Sequence, residues 1–117
     1  MTTGIDGAYL LMDVPSGLQT IVARRQSYLR TWRQVAVPAG QTILLPGVTL
    51  LGGDIGGDDL ISEADAASIV AAWNTTSGSP DWSAEADVTD DGEVNLLDIV
   101  AVEYNWGQQA PGPWAGP

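Results

Sequence analysis

The chain predicts an α+β fold: an N-terminal partial antiparallel β-sandwich followed by two short helices, each fed by an acidic loop. Three observations carry this. Up to residue 51, short apolar runs are cut by Pro/Gly turns at strand-like intervals. Beyond residue 54, apolar residues recur instead at helical spacing, as in Ile69, Val70, Trp73 and again Ile99, Val102, Trp106. Between those stripes and the strands lies one twelve-residue acidic frame used twice, 33 residues apart.

Taken in order, Tyr9, Leu10, Leu11 and Met12 form a short apolar run that ends at Val14-Pro15-Ser16-Gly17, a turn signal. The β region is read from residue 4. Residues 18–25 alternate, with Thr20 and Val22 on one face and Ile21 and Ala23 on the other. Arg24-Arg25-Gln26-Ser27 breaks that pattern. Residues 32–37 supply another strand, with Val35 and Val37 on a common face, and Pro38-Ala39-Gly40 closes it. Residues 42–51, apolar around Pro46-Gly47, predict two short strands or one with a bulge.

The second half opens on residues 54–65, D-I-G-G-D-D-L-I-S-E-A-D. A helix over residues 66–73 follows, and Asn74 to Pro80 form the linker. The second acidic segment, residues 87–98, reads D-V-T-D-D-G-E-V-N-L-L-D and feeds a helix from Leu97 to Tyr104 or Asn105. Asp65 and Asp98 each stand where a carboxylate favours a helix N-terminus. The last stretch, residues 108–117, is rich in Pro and Gly and predicts no regular structure; Trp114 either frays with it or folds back onto the domain.

Charge separates the halves. Four arginines less Asp6 and Asp13 give +2 before residue 54; thirteen acids and no base give −13 after it, and the total is −11. Phosphate contacts need a basic face, which a net charge of −11 with only four basic residues disfavours, so nucleic acid is not expected as a partner. No apolar run approaches membrane-spanning length, so no membrane role is expected. The first residues carry neither a basic nor an apolar leader segment, so no signal peptide is visible. Cys and His are both absent, which removes thiolate ligands, the strongest nucleophile and the commonest general base, so an enzyme is the poorest reading.

The acidic segments have the spacing of an EF-hand-like calcium loop. In the second, Asp87, Thr89 and Asp91 alternate so that a curled loop turns every other side chain inward. Gly92 makes the sharp turn at position six, Glu93 offers its carbonyl, Asn95 acts through water, and Asp98 closes the site with both oxygens. An all-oxygen, carboxylate-rich set suits calcium over magnesium. In the first, Asp54, Asp58 and Asp65 remain, Leu60 offers its carbonyl and Ser62 holds water. Gly56, however, brings no side-chain ligand, and Asp59 replaces the turn glycine. Two calcium sites are expected, the second loop's tighter. Ile61 and Val94, both at position eight, are expected to pair across the loops. The helical stripes are expected in the core rather than on a binding surface.

Two such loop-helix units, without the entering helix of a full EF-hand, resemble a type I dockerin over residues 52–107. The resemblance rests on G-G-D-I-G-G-D-D-L-I-S-E-A-D, A-D-V-T-D-D-G-E-V-N-L-L-D-I-V, Asn105-Trp106-Gly107 and Pro113-Trp114. It implies a two-helix, F-hand calcium domain that is non-catalytic, works outside the cell or at its surface, and binds a cohesin-like protein. Loop positions ten and eleven depart from the family: they hold Glu63-Ala64 and Leu96-Leu97 rather than a small hydroxyl pair. Upstream, D-G-A-Y-L-L-M-D-V-P-S-G-L-Q-T-I-V-A-R and V-A-V-P-A-G-Q-T-I-L-L-P-G-V-T-L-L resemble the C-terminal part of a carboxypeptidase-regulatory-like β-sandwich over residues 1–51. Its early strands are missing, which implies a self-associating structural protein as the alternative: a homo-oligomer, simplest as a homodimer, in which a second copy completes the sandwich.

Overall fold

Strand β1 (Gly17–Ala23) runs out to a turn at the arginine-rich break, and the chain comes back through β2 (Tyr28–Leu29) and β3 (Thr31–Val37). The computed structural model describes residues 8–114; residues 4–7 of the expected β region and 115–117 of the tail lie outside it. Ser27 adopts a positive φ of 67°, and the Tyr28 N–H reaches the Arg25 carbonyl at 3.1 Å, which reverses the chain. β1 and β3 then pair antiparallel, from Gly17 opposite Val37 to Ala23 opposite Thr31. Ile21 and Ala23 share a face with Arg33 and Thr31, and Leu18 and Val22 lie on the other with Ala36 and Trp32. The alternation read from the sequence is the one observed.

The second ladder is short. β2 pairs antiparallel with β4 (Leu51–Gly52), Tyr28 opposite Gly52 and Leu29 opposite Leu51. Among the described residues these two-stranded ladders are the whole sheet content, so the fold is α+β but shows no two stacked sheets. Residues 42–50, expected as strands, carry no ladder. Pro46 has no N–H to donate to a ladder. Leu44 is left 98 % exposed.

Helices α1 (Glu63–Ala71) and α2 (Leu96–Tyr104) each begin inside an acidic loop. They start a little earlier than their apolar stripes suggest because the last loop aspartate already occupies the third helical position. Asp65 accepts the Ser62 N–H at 2.8 Å and Asp98 accepts the Asn95 N–H at 2.9 Å, so each returns a bond to its own N-cap residue. Neither helix is long and apolar enough to cross a membrane.

One core joins both halves. Leu29 from β2 is fully buried with Ile61, Ile69, Ala72, Ala86, Val88, Val94 and Val102. Burying each large aliphatic here stabilises by roughly 1.5–3 kcal/mol. Trp82, just past the linker, packs partly buried against this cluster. Gly53, at φ +127°, lets the entry to the first loop cross α2: a Cβ there would lie 3.2 Å from the Val102 Cα.

The described part of the tail, residues 108–114, holds no helix or strand, yet it is anchored at several points. Gly112 donates to the Arg30 carbonyl at 3.1 Å, and the Thr31 hydroxyl donates to the Gly112 carbonyl at 2.5 Å. Trp114 Nε1 donates to the Pro46 carbonyl at 2.9 Å, and the Arg33 guanidinium lies 5.8 Å from its ring centre. Trp114 therefore folds back.

Candidate metal centre

The two acidic loops are built on the same hydrogen-bond frame. At position one, Asp54 accepts the N–H groups of Asp58 and Asp59, each at 3.2 Å; Asp87 accepts those of Asp91 and Gly92 at 3.2 and 2.9 Å. At position twelve, Asp65 accepts from Gly56 at 3.0 Å and Asp98 from Thr89 at 3.0 Å. At position five, Asp58 accepts from Leu60 at 3.3 Å and Asp91 from Glu93 at 3.0 Å. These bonds span only two to nine residues, so the loop can specify itself. Gly92 has φ +84° and Asp59 φ +68°, so the left-handed turn at position six survives without glycine.

This frame gathers acids at short range. One carboxylate oxygen from each of Asp54, Asp58 and Asp65 lies within 4.8 Å of the others, as does one from each of Asp87, Asp91 and Asp98. The flanking pair in each set is buried and the middle residue exposed. Three carboxylates so close repel unless a cation sits among them. Burial pushes the Asp54 carboxyl above the ordinary aspartate value and the neighbouring Asp65 charge adds to it, although N–H bonds from Asp59 and Asp58 pull the other way.

The remaining expected ligands divide. Among the described residues the carbonyls of Leu60 and Glu93, at position seven, accept no hydrogen bond, whereas the carbonyls on either side of each are engaged. Thr89 Oγ1 lies 3.0 Å from Asp98 Oδ1, alongside the carboxylates. Asn95 Oδ1 is occupied by the Leu97 N–H at 3.0 Å as the cap of α2, leaving only water-mediated reach at position nine. Ser62 is half-buried at the equivalent place in the first loop. At position three, Gly56 contributes only its N–H. The donor sets fit a hard cation, the second loop more fully than the first.

The loops are tied together, though not by the direct pairing expected. Ile61 and Val94 are both fully buried in the one core. Their main-chain bonds go to the exits of the opposite helices: Ile61 exchanges with Gly107 and Gln108, and Val94 with Asn74 and Thr75, at 2.8–3.0 Å. Position-seven bridges follow the same crossing, Leu60 to Gln109 and Glu93 to Thr76. The result is a pseudo-twofold unit.

The helix surfaces revise another expectation. Ile69 and Val102 are core and Ile99 packs against it, but Trp73 and Trp106 are 41 % and 50 % exposed. Leu96, Leu97, Val100 and Tyr104 are exposed beside Trp106 on α2 and its exit. An amphipathic stripe locates one buried face; it does not show that a helix end escapes the core.

A further contact was only half legible. Arg30 grips Asp59 with two bonds, Nε to Oδ1 at 2.8 Å and Nη2 to Oδ2 at 2.7 Å. That bidentate pair holds the Asp59 carboxyl below its ordinary value and raises the Arg30 guanidinium. Arg25 reaches Asp90 more loosely, at 3.4 Å. The available signal was an acid at position six, where a metal loop wants glycine.

A family model, the dockerin type I domain, matches residues 52–104, which span both loops and both helices. Over these residues the chain is dockerin-like. Dockerin domains are non-catalytic protein–protein interaction modules that bind calcium, and this one presents two acidic clusters for it. Cellulosomal-scaffolding proteins B and A of Acetivibrio thermocellus are each 27 % identical over 110 residues, or 90 % of this chain. The chain spans only 14 % and 6 % of their lengths. Among solved structures, a C-terminal interface mutant of the type II cohesin–X–dockerin complex from Acetivibrio cellulolyticus matches at 27 % identity and TM-score 0.66. It covers 85 % of this chain and 68 % of that one. The N-terminal interface mutant matches at 24 % identity and TM-score 0.60, over 84 % and 67 % of the respective chains, and shows the shared fold. These alignments extend past the dockerin into the β half.

Proposed function

We propose that the chain is a calcium-dependent adaptor whose dockerin domain docks onto a cohesin-type module, outside the cell or at its surface. The observation that carries this is the pseudo-twofold loop pair, which leaves Leu96, Leu97, Val100 and Tyr104 exposed on α2 and Trp73 and Trp106 exposed at the helix exits. Aromatic and aliphatic side chains on a rigid surface are what a protein interface uses as anchors. The assembly named for the structural relatives, a type II cohesin with X–dockerin, supplies the kind of partner.

In this reading calcium is structural. Asp87, Thr89, Asp91, Glu93, Asn95 and Asp98 hold one ion, and Asp54, Asp58, Leu60, Ser62 and Asp65 hold a second, weaker one. Residues 1–51 form the β part, 52–107 the dockerin and 108–117 the tail that straps them. Calorimetric titration of type I and type II cohesin modules into the calcium-loaded chain should give saturable binding that a chelator abolishes. Absence of binding to either class sinks the cohesin reading.

A second reading draws on the outer face of the β hairpin. Leu18, Val22, Met12 and Leu44 are exposed there and on its flanking segments, a large apolar surface for a two-stranded ladder. A second copy completing the sandwich would cover it. Sedimentation with calcium present decides: a strict monomer at micromolar concentration ends this reading.

A further inference from the structure

Between the arginine turn after β1 and the first acidic loop lies a cleft of about 450 Å³, within the size range of small-molecule sites. Arg24, Arg25 and Tyr28 line one side, and the main chain at Gly56 and Gly57 lines another. With Arg30, the lining holds three guanidinium groups against the carboxylates of Asp54 and Asp59. The cleft is thus +1 in a chain of net charge −11. Arg30 and Asp59 neutralise each other in their two-bond pair. Arg25 is steadied by Asp90 and by the Tyr28 ring, whose centre is 4.8 Å away. Arg24 makes no ion pair among the described residues.

We infer that this cleft binds a small carboxylate-bearing molecule, with Arg24 and Arg25 as its guanidinium donors and the glycine main chain of the first loop as the facing wall. The planar fork of a guanidinium matches a carboxylate edge. Two aspartates in the lining disfavour a more highly charged anion, so one carboxylate suits a net +1 site better than a phosphate does. Gly56 and Gly57 carry no side chains to fill the space. Gly56 is also the position where the first loop lacks a side-chain oxygen, so the ligand's carboxylate stands against the incomplete side of that loop's donor set. This last point rests on the proposed calcium occupancy of the first loop; the charge argument does not. Carboxylate and calcium should therefore strengthen each other's binding reciprocally.

The test is amide- and guanidinium-resolved NMR of the full chain in excess calcium, titrated with glucuronate and, separately, with uncharged glucose. Saturable shifts at Arg24, Arg25, Gly56 and Gly57 with glucuronate alone are expected. Arg24→Ala should weaken them at least tenfold while leaving the melting temperature unchanged. No shift at these residues, equal shifts with glucose, or indifference to Arg24→Ala overturns the site. Calcium calorimetry separates the two claims. If the first loop fills and glucuronate still does not bind, the cleft alone is wrong. If the first loop takes no calcium, the metal reading fails there, and the same shifts in calcium-free protein then decide the cleft.

Discussion

The two acidic loops share their main-chain frame and differ in what their side chains do with it. In residues 87–98 every inward position carries oxygen, and the turn at position six is glycine. In residues 54–65 position three is empty and position six is an aspartate gripped by Arg30 at 2.7 Å. The second loop keeps the whole donor set of a calcium-loop frame. The first keeps the shape of one while giving its turn residue to the β half, and its Asp59 carbonyl accepts the tail through Ala110 N–H at 2.9 Å. The same backbone bonds thus hold two loops of different side-chain content, and only the first is also joined to the β half through its turn residue.

Stripping calcium should break the comparison most severely. If both sites fill, a chelator should cost about 3 kcal/mol for each site held near a hundredfold above its dissociation constant. Thermal melts with Asp98→Ala and Asp65→Ala should apportion that loss, with the larger share at Asp98; an equal split would refute the ranking of the loops. The effect should also depend on pH. Asp54, raised by burial, stabilises the metal-free fold most when protonated. That contribution fades as pH rises through its folded value, so the calcium-free chain should weaken, and calcium's benefit grow, in the same direction.

Leu29→Ala comes next. It removes the β half's fully buried anchor in the dockerin core and should cost about 3 kcal/mol in denaturant unfolding. A loss below 1 kcal/mol would mean that the halves are coupled chiefly by the strap and the arginine pair.

Gly56→Asp should narrow the difference between the loops. A Cβ built at Gly56 meets only Asp65 Oδ1, at 3.7 Å, so there is room for the side chain that position three lacks. Calcium affinity of the first loop should rise about tenfold, roughly 1.4 kcal/mol, by calorimetry. An unchanged isotherm would place the weakness elsewhere.

The smallest effect belongs to the arginines. Asp59, lowered by Arg30, contributes stability that is present above its unfolded value and lost as pH falls through its lower folded value. Arg30→Ala should flatten that acid dependence, whereas Arg25→Ala, facing a looser and more exposed partner, should leave the melting curve unchanged.

Some of this was readable before any coordinates. The spacing of Asp87, Asp91 and Asp98, the repeat after 33 residues and the helix starts at Asp65 and Asp98 all follow from bonds between near neighbours in sequence. Such bonds depend on residue type and loop curl alone, so the motif carries its own structure. Other features needed the folded chain. The partner of Asp59 lies 29 residues away, that of Trp114 lies 68 away and that of Thr31 lies 81 away. The crossing of Ile61 to Gly107, the exposure of Trp73 and Trp106, and the missing strands at residues 42–50 likewise depend on which surfaces meet. Local chemistry determined the loop frame; long-range packing decided what that frame is fastened to.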